Sequence, residues 1–178
     1  TTAIDIDSKY VSAYFRRGSA KYFLKDYQGV IEDCTKVIEI DPKYVSAYVK
    51  RGLAKYCLKD YQGIIEDCTN AIEIDPKNSQ AYSGRGLAKY CLKDYQGTIE
   101  DCANGIKIDP KDSGAYGGRG LAKYCLKDYE GAIQDYSIAI EISPNFFLAY
   151  EHRARAKESI GDIEGAKEDR NMYDKLKN

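Results

Sequence analysis

The sequence is poor in the residues that most enzymatic sites require. It contains a single histidine, His152. One histidine cannot supply a histidine-rich metal site, where a tetrahedral zinc takes four ligands around one ion. No serine or cysteine is paired with a histidine at a catalytic spacing, and no glycine-rich loop of the phosphate-cradling kind occurs. No apolar run approaches the ~18 residues that mark a bilayer span. Neither sign of charge prevails: 27 Lys and Arg stand against 28 Asp and Glu, a formal net charge of −1. Without a basic face, neither nucleic acid nor an anionic membrane is an expected partner, and no membrane insertion is expected. An initiator methionine is also missing. The chain opens in the middle of a repeat and reads as a piece of a longer array, so the lack of a signal peptide says little about compartment.

Proline is scarce too, and its four occurrences are informative. They fall at Pro42, Pro76, Pro110 and Pro144, one every 34 residues. The same step governs the stretch Arg51 to Gly63, which returns unchanged as Arg85 to Gly97. It returns again as Arg119 to Gly131 with Glu130 in place of Gln, and more loosely as Arg17 to Gly29 and Arg153 to Gly165. A fixed period of 20–50 residues marks a stacked repeat array. Counted from Val11, the repeats are 11–44, 45–78, 79–112, 113–146 and 147–178. Residues 1–10 match the end of a second helix and its turn. The fifth repeat is the most charged, as a polar terminal cap should be. One continuous body of nearest-neighbour contacts is expected.

Within the second repeat, Tyr48, Gly52, Lys55 and Leu58 recur at three- and four-residue intervals, which is one face of a helix. Lys59-Asp60 interrupts it, and Asp60 suits the N-cap of a second helix. Ile64, Ile65, Cys68, Ala71, Ile72 and Ile74 form that helix's apolar stripe. Asp75-Pro76 ends it, because the residue before proline avoids helical geometry. Each repeat is thus expected to be an antiparallel helical hairpin.

Tyr48, Gly52, Ala71 and Pro76, repeated in register five times, resemble the tetratricopeptide repeat over essentially the whole chain. Departures are Arg51 and Lys55 at sites usually held by Leu and an aromatic, Cys68 at an aromatic site, and Ile64 at an Ala site. The resemblance implies an all-α, right-handed α-solenoid of helix-turn-helix hairpins. It also implies a non-catalytic scaffold that binds a protein or peptide in a concave groove lined by the first helices. Some co-chaperone relatives grip a C-terminal carboxylate with Lys and Asn. Those sites fall here on Phe15, Ser19, Lys50, Gln80 and Gly84, which do not match.

Six cysteines form two repeat-locked sets, Cys34/Cys68/Cys102 and Cys57/Cys91/Cys125. Packed helices lie roughly 10 Å apart, while a disulfide needs Cα atoms within about 7 Å. Pairing within a set is therefore not expected, nor is metal or any cofactor. Reduced thiols fit an intracellular, cytoplasmic setting. Arg17, Arg51, Arg85 and Arg119 each precede an aspartate by sixteen residues, at Asp33, Asp67, Asp101 and Asp135. An ion pair between the two helices of each hairpin is expected. His152 reads as an ordinary surface residue.

The expected groove comprises Phe15, Arg16, Ser19 and Tyr22; Val49, Lys50, Leu53 and Tyr56; Ser83, Gly84, Leu87 and Tyr90; and Gly117, Gly118, Leu121 and Tyr124. It carries Leu and Tyr where a solvated surface would carry Lys and Glu. The tyrosines could instead wedge between repeats. The helix-interior glycines, each costing about 1 kcal/mol relative to Ala, read either as a smooth floor for a ligand or as drift between copies. Stacking of open ends, head to tail, is the alternative to peptide binding.

Overall fold

A computed structural model describes residues 10–177. The reading of residues 1–9 as the end of a preceding repeat lies outside the described residues. The described chain is all helical: α1 Val11–Phe23, α2 Tyr27–Ile40, α3 Val45–Cys57, α4 Tyr61–Ile74, α5 Ser79–Cys91, α6 Tyr95–Ile108, α7 Ser113–Cys125, α8 Tyr129–Ile142, α9 Phe147–Ser159 and α10 Ile163–Lys177. They divide between two compact units, one ending at Ala88 and one beginning at Lys89. The boundary falls inside α5.

Local rules set the element boundaries. Asp26, Asp60, Asp94, Asp128 and Asp162 cap the second helices, each accepting from the glycine N–H three residues on at 2.9–3.0 Å. The cap sits so close that a Cβ on Gly63 would lie 2.2 Å from Asp60 Oδ2. A side chain there would push the capping carboxylate aside. The turn before each cap passes through the left-handed region, with φ of 60° at Lys25, 61° at Lys59, 65° at Lys93 and 66° at Lys127. Only the fifth repeat places a glycine there, Gly161. The second helices stop at Asp41, Asp75, Asp109 and Ser143, the first three extended ahead of proline.

In the first unit α1 packs on α2, and α3 packs on both α2 and α4. Val30, Cys34, Val37, Ala47 and Ala54 form one core cluster. Tyr48, Ile64, Cys68, Ala71, Ala81 and Ala88 form a second. In the second unit α7 packs on α6 and α8, and α9 packs on α8 and α10. Its cores are Ala139, Ile140, Ala149 and Tyr150, flanked by Met172 and Leu176, and Ala132, Tyr136 and Ala156. Alanine fills most first-helix contact positions, which brings neighbouring helices close. All six cysteines are free; Cys34, Cys68 and Cys102 are buried, while Cys57 and Cys125 are exposed. Burial pushes the Cys34 and Cys102 thiols up to about 12, so both stay protonated and behave as small apolar groups.

Candidate partner-binding face

Each hairpin is locked by a buried carboxylate. In the first unit Asp67 is fully buried and accepts from Arg51 Nη2 at 2.6 Å and Lys55 Nζ at 2.9 Å. Asp33 accepts from Arg17 at 2.5 Å and Lys21 at 3.3 Å. In the second unit Asp135 takes Arg119 and Lys123 at 2.6 and 2.8 Å, and Asp169 takes Arg153 and Lys157 at 2.6 and 2.9 Å. Arg85 and Asp101 belong to different units. Within its own unit Arg85 donates to Thr69 at 3.1 Å, and Asp101 meets Lys89 at 2.8 Å.

The lysine partner was missed in the sequence. It recurs as faithfully as the arginine, at Lys21, Lys55, Lys89, Lys123 and Lys157, and that recurrence was the available signal. Each guanidinium also lies 5.4–5.7 Å over a first-helix tyrosine ring. A third arm of Arg51 reaches Thr35 at 3.0 Å, and one of Arg153 reaches Ser137 at 2.9 Å, tying a hairpin to the one before it. These residues are architecture.

On the first-helix face of the first unit, Phe15 packs on Tyr44 at 5.1 Å between ring centres. Lys50 Nζ lies 4.5 Å over the Phe15 ring and donates to Ser19 Oγ at 2.5 Å. Lys50 is therefore folded down, whereas Arg16 is exposed. Tyr22 meets Tyr27 edge-on at 5.7 Å. Leu53, Tyr56 and Leu87 remain 51, 41 and 42% exposed. Together with Val49 they surround a cavity of ≈ 200 Å³ whose floor is Gly52, Ile64, Cys68 and Gly84, with Gln80 at its edge. Ser83 is half-buried and does not line it.

In the second unit Tyr90 packs on Tyr95 at 5.8 Å and Tyr124 on Tyr129 at 5.4 Å. The Tyr90 hydroxyl lies 3.9 Å from Cys125 Sγ. Burial, with the Cys125 sulfur beside it, pushes the Tyr90 phenol up to about 12. Each of these tyrosines therefore packs on the first tyrosine of the following helix. Leu121 is half-buried beside it.

Two expectations are corrected here. Gly117 is not part of an open floor: it is buried, and a Cβ there would lie 3.1 Å from the Phe146 ring. Phe146, at the far end of the same repeat, fills the gap. Nor is His152 an ordinary surface residue. It stacks on Tyr136 at 5.9 Å between ring centres, and burial lowers its pKa. Gly118 lies over Cys102, where a Cβ would come within 3.3 Å of Sγ. Gly118 and Gly84 thus each lie close against a buried thiol, Cys102 and Cys68.

Among the described residues, no cluster of three His, Cys, Asp or Glu side chains could hold a metal ion. No described helix is long and apolar enough to cross a membrane.

Known proteins agree with this architecture. The tetratricopeptide-repeat family profile matches residues 11–44, and the other repeats follow at the same spacing. The chain thus carries a tetratricopeptide repeat over residues 11–44. Among solved structures, MamA superposes with a TM-score of 0.81 at 24% identity, over 93% of this chain and 91% of that one. MamA from Desulfovibrio magneticus RS-1 gives 0.84 at 17% identity, over 94% of each chain. YrrB, described as a TPR protein with an unusual peptide-binding site, gives 0.77 at 14% identity, over 99% of this chain and 91% of that one. At these identities the likeness establishes the fold. No curated protein matches the chain by sequence.

Proposed function

We propose that the protein is a non-catalytic interaction scaffold that receives a peptide or helix of a partner on the first-helix face of its repeats. The observation that carries this reading is the cavity framed by Leu53, Tyr56 and Leu87. Three large apolar side chains left about half exposed around one recess form an anchor site, since interfaces concentrate their affinity in a few buried apolar contacts. At ≈ 200 Å³ the recess suits one Leu, Ile, Met or Phe side chain. The peptide-binding description of YrrB supports the class of ligand.

Selection of peptides from a displayed random library tests the proposal. Enriched sequences should share one large apolar anchor and should lose binding to the variant Leu53→Glu/Leu87→Glu. They should still bind Lys36→Ala, which alters the exposed outer side of α2. Enrichment that ignores Leu53 and Leu87 would reject the site.

Head-to-tail self-association is a second reading. It is favoured by Phe23 and Leu24, which are 85 and 79% exposed at the turn of the first hairpin. A mass by light scattering that stays monomeric into the millimolar range would exclude it.

A further inference from the structure

The first helices of the first unit carry no acid. Neither α1 nor α3 contains Asp or Glu, and α5 has none up to Ala88. Most of their cations are already engaged. Arg17 and Lys21 are taken up by the buried Asp33, and Arg51 and Lys55 by the buried Asp67. Arg85 donates to Thr69, and Arg16 is exposed. Lys50 differs from all of these. It is half-buried, yet it makes no ion pair with any described residue. Its ammonium rests on the Phe15 ring and on Ser19 Oγ. A ring face and one hydroxyl compensate a partly desolvated charge less fully than a carboxylate does.

Lys50 lines a second recess on this face, and Val49, Leu53 and Gln80 border both it and the anchor cavity. The two recesses therefore adjoin. Phe15, over which the ammonium lies, also lines the second one. Ser46 and Asn78 complete its walls, and no acidic residue borders it. Asn78 Oδ1 already accepts from the Ala81 N–H at 2.9 Å, which leaves the Asn78 NH2 group as a donor. A lysine ammonium has three N–H donors, and Ser19 takes one of those on Lys50. The anchor cavity thus presents mainly apolar walls, while the recess beside it presents donors and one positive charge.

We infer that the second recess is a subsite for a side-chain carboxylate, an Asp or Glu of the same partner segment whose apolar residue seats between Leu53 and Leu87. The carboxylate accepts from the Lys50 ammonium, with the Asn78 amide and the Ser46 hydroxyl as neutral donors. Charge complementarity selects this occupant. A basic segment would meet like charge from Lys50 and Arg16, with no acid on these helices to offset it. Because the recesses share walls, acid and anchor stand within about four residues of each other, the spacing that sets two side chains on one helix face. The inference rests on the partner-binding reading and adds to it a preference for acidic segments.

The probe is a synthetic library of short peptides with Leu fixed at the centre, acetylated and amidated at the ends, selected on wild type, Lys50→Arg and Lys50→Met. Wild type should enrich Asp or Glu within about four residues of the Leu. Lys50→Arg should keep that preference and Lys50→Met should lose it, while both still bind through the Leu. In a selected peptide, Glu→Gln should weaken binding to wild type by about fivefold or more and leave binding to Lys50→Met unchanged. The change on the peptide side needs no protein variant to fold. Leu-dependent binding without an acid preference, or an acid preference that survives in Lys50→Met, overturns the subsite and leaves the Leu53/Leu87 anchor standing. Acid-dependent binding that persists when the central Leu is replaced by Ser supports the subsite and rejects the anchor. Binding confined to a parallel library with free C-termini assigns the carboxylate to chain ends and overturns the side-chain reading. No enrichment from either library overturns anchor and subsite together.

Discussion

Gly84 faces Cys68 so closely that a Cβ on the glycine would lie 3.1 Å from Sγ. The equivalent positions carry Lys50 and His152 in other repeats, and each of those side chains folds onto a ring. At Gly84 there is no side chain to fold, so the recess between Leu53 and Leu87 stays open. One thiol and one missing side chain together shape the proposed anchor site.

This pairing predicts energetic coupling. Gly84→Ala gains about 1 kcal/mol of helix propensity but presses on Sγ. In a Cys68→Ala background the pressure is gone and the same change should be more favourable. A double-mutant cycle by chemical denaturation should show coupling of at least about 0.5 kcal/mol. Additive effects would mean that the contact is slack.

Asp67 is fully buried and holds two cations that are themselves only 16 and 14% exposed. Removing one member of such a pair leaves buried charge uncompensated, which costs about 3–5 kcal/mol. Asp67→Ala should lose stability on that scale. Glu39→Ala, which breaks the exposed pair with Lys36, should change it by less than about 1 kcal/mol. Urea denaturation of the two variants distinguishes them, and similar losses would contradict the buried-lock account.

Lys59 holds φ at 61°, a region that costs a residue with a Cβ about 1–2 kcal/mol. The fifth repeat uses Gly161 at that position. Lys59→Gly should therefore raise Tm, and Gly161→Lys should lower it. Changes of the opposite sign would show that the lysine side chain contributes more than its backbone costs.

The hairpins could be read from the sequence because a 34-residue register puts Asp60, Gly63 and Pro76 at fixed places, and each acts locally. Arg51 and Asp67 were also legible, as a sixteen-residue pair repeated down the chain. Lys55 was not, because a recurrent lysine looks like a solvated face until the carboxylate it meets is known to be buried. Gly117 was misplaced for a different reason. Its neighbour Phe146 closes the same repeat, at a site held by Tyr44, Asn78 and Asp112 in the others. Only at that junction does a large ring meet a missing side chain. The Tyr136–His152 stack was hidden too, since it needs Gly120 to make room and a ring from α9.

His152 gives a pH signature. Burial lowers its pKa from the ordinary value near 6.5, so the unfolded chain binds the proton more readily. Its contribution is complete above that value and is lost as pH falls below it. Wild-type stability should decline between about pH 6.5 and 5 more steeply than that of His152→Phe, as followed by thermal melts. Parallel declines would place the titration elsewhere.

The central claim is that a partner's apolar side chain seats between Leu53 and Leu87. Calorimetric titration of a library-selected peptide into wild type and into Leu53→Glu/Leu87→Glu tests it most directly, with thermal melts run on both proteins. The account predicts a loss of about 2 kcal/mol or more, the scale of an interface anchor, at an almost unchanged Tm, because both leucines are already half exposed. Affinity within twofold of wild type, with the variant folded, would contradict it.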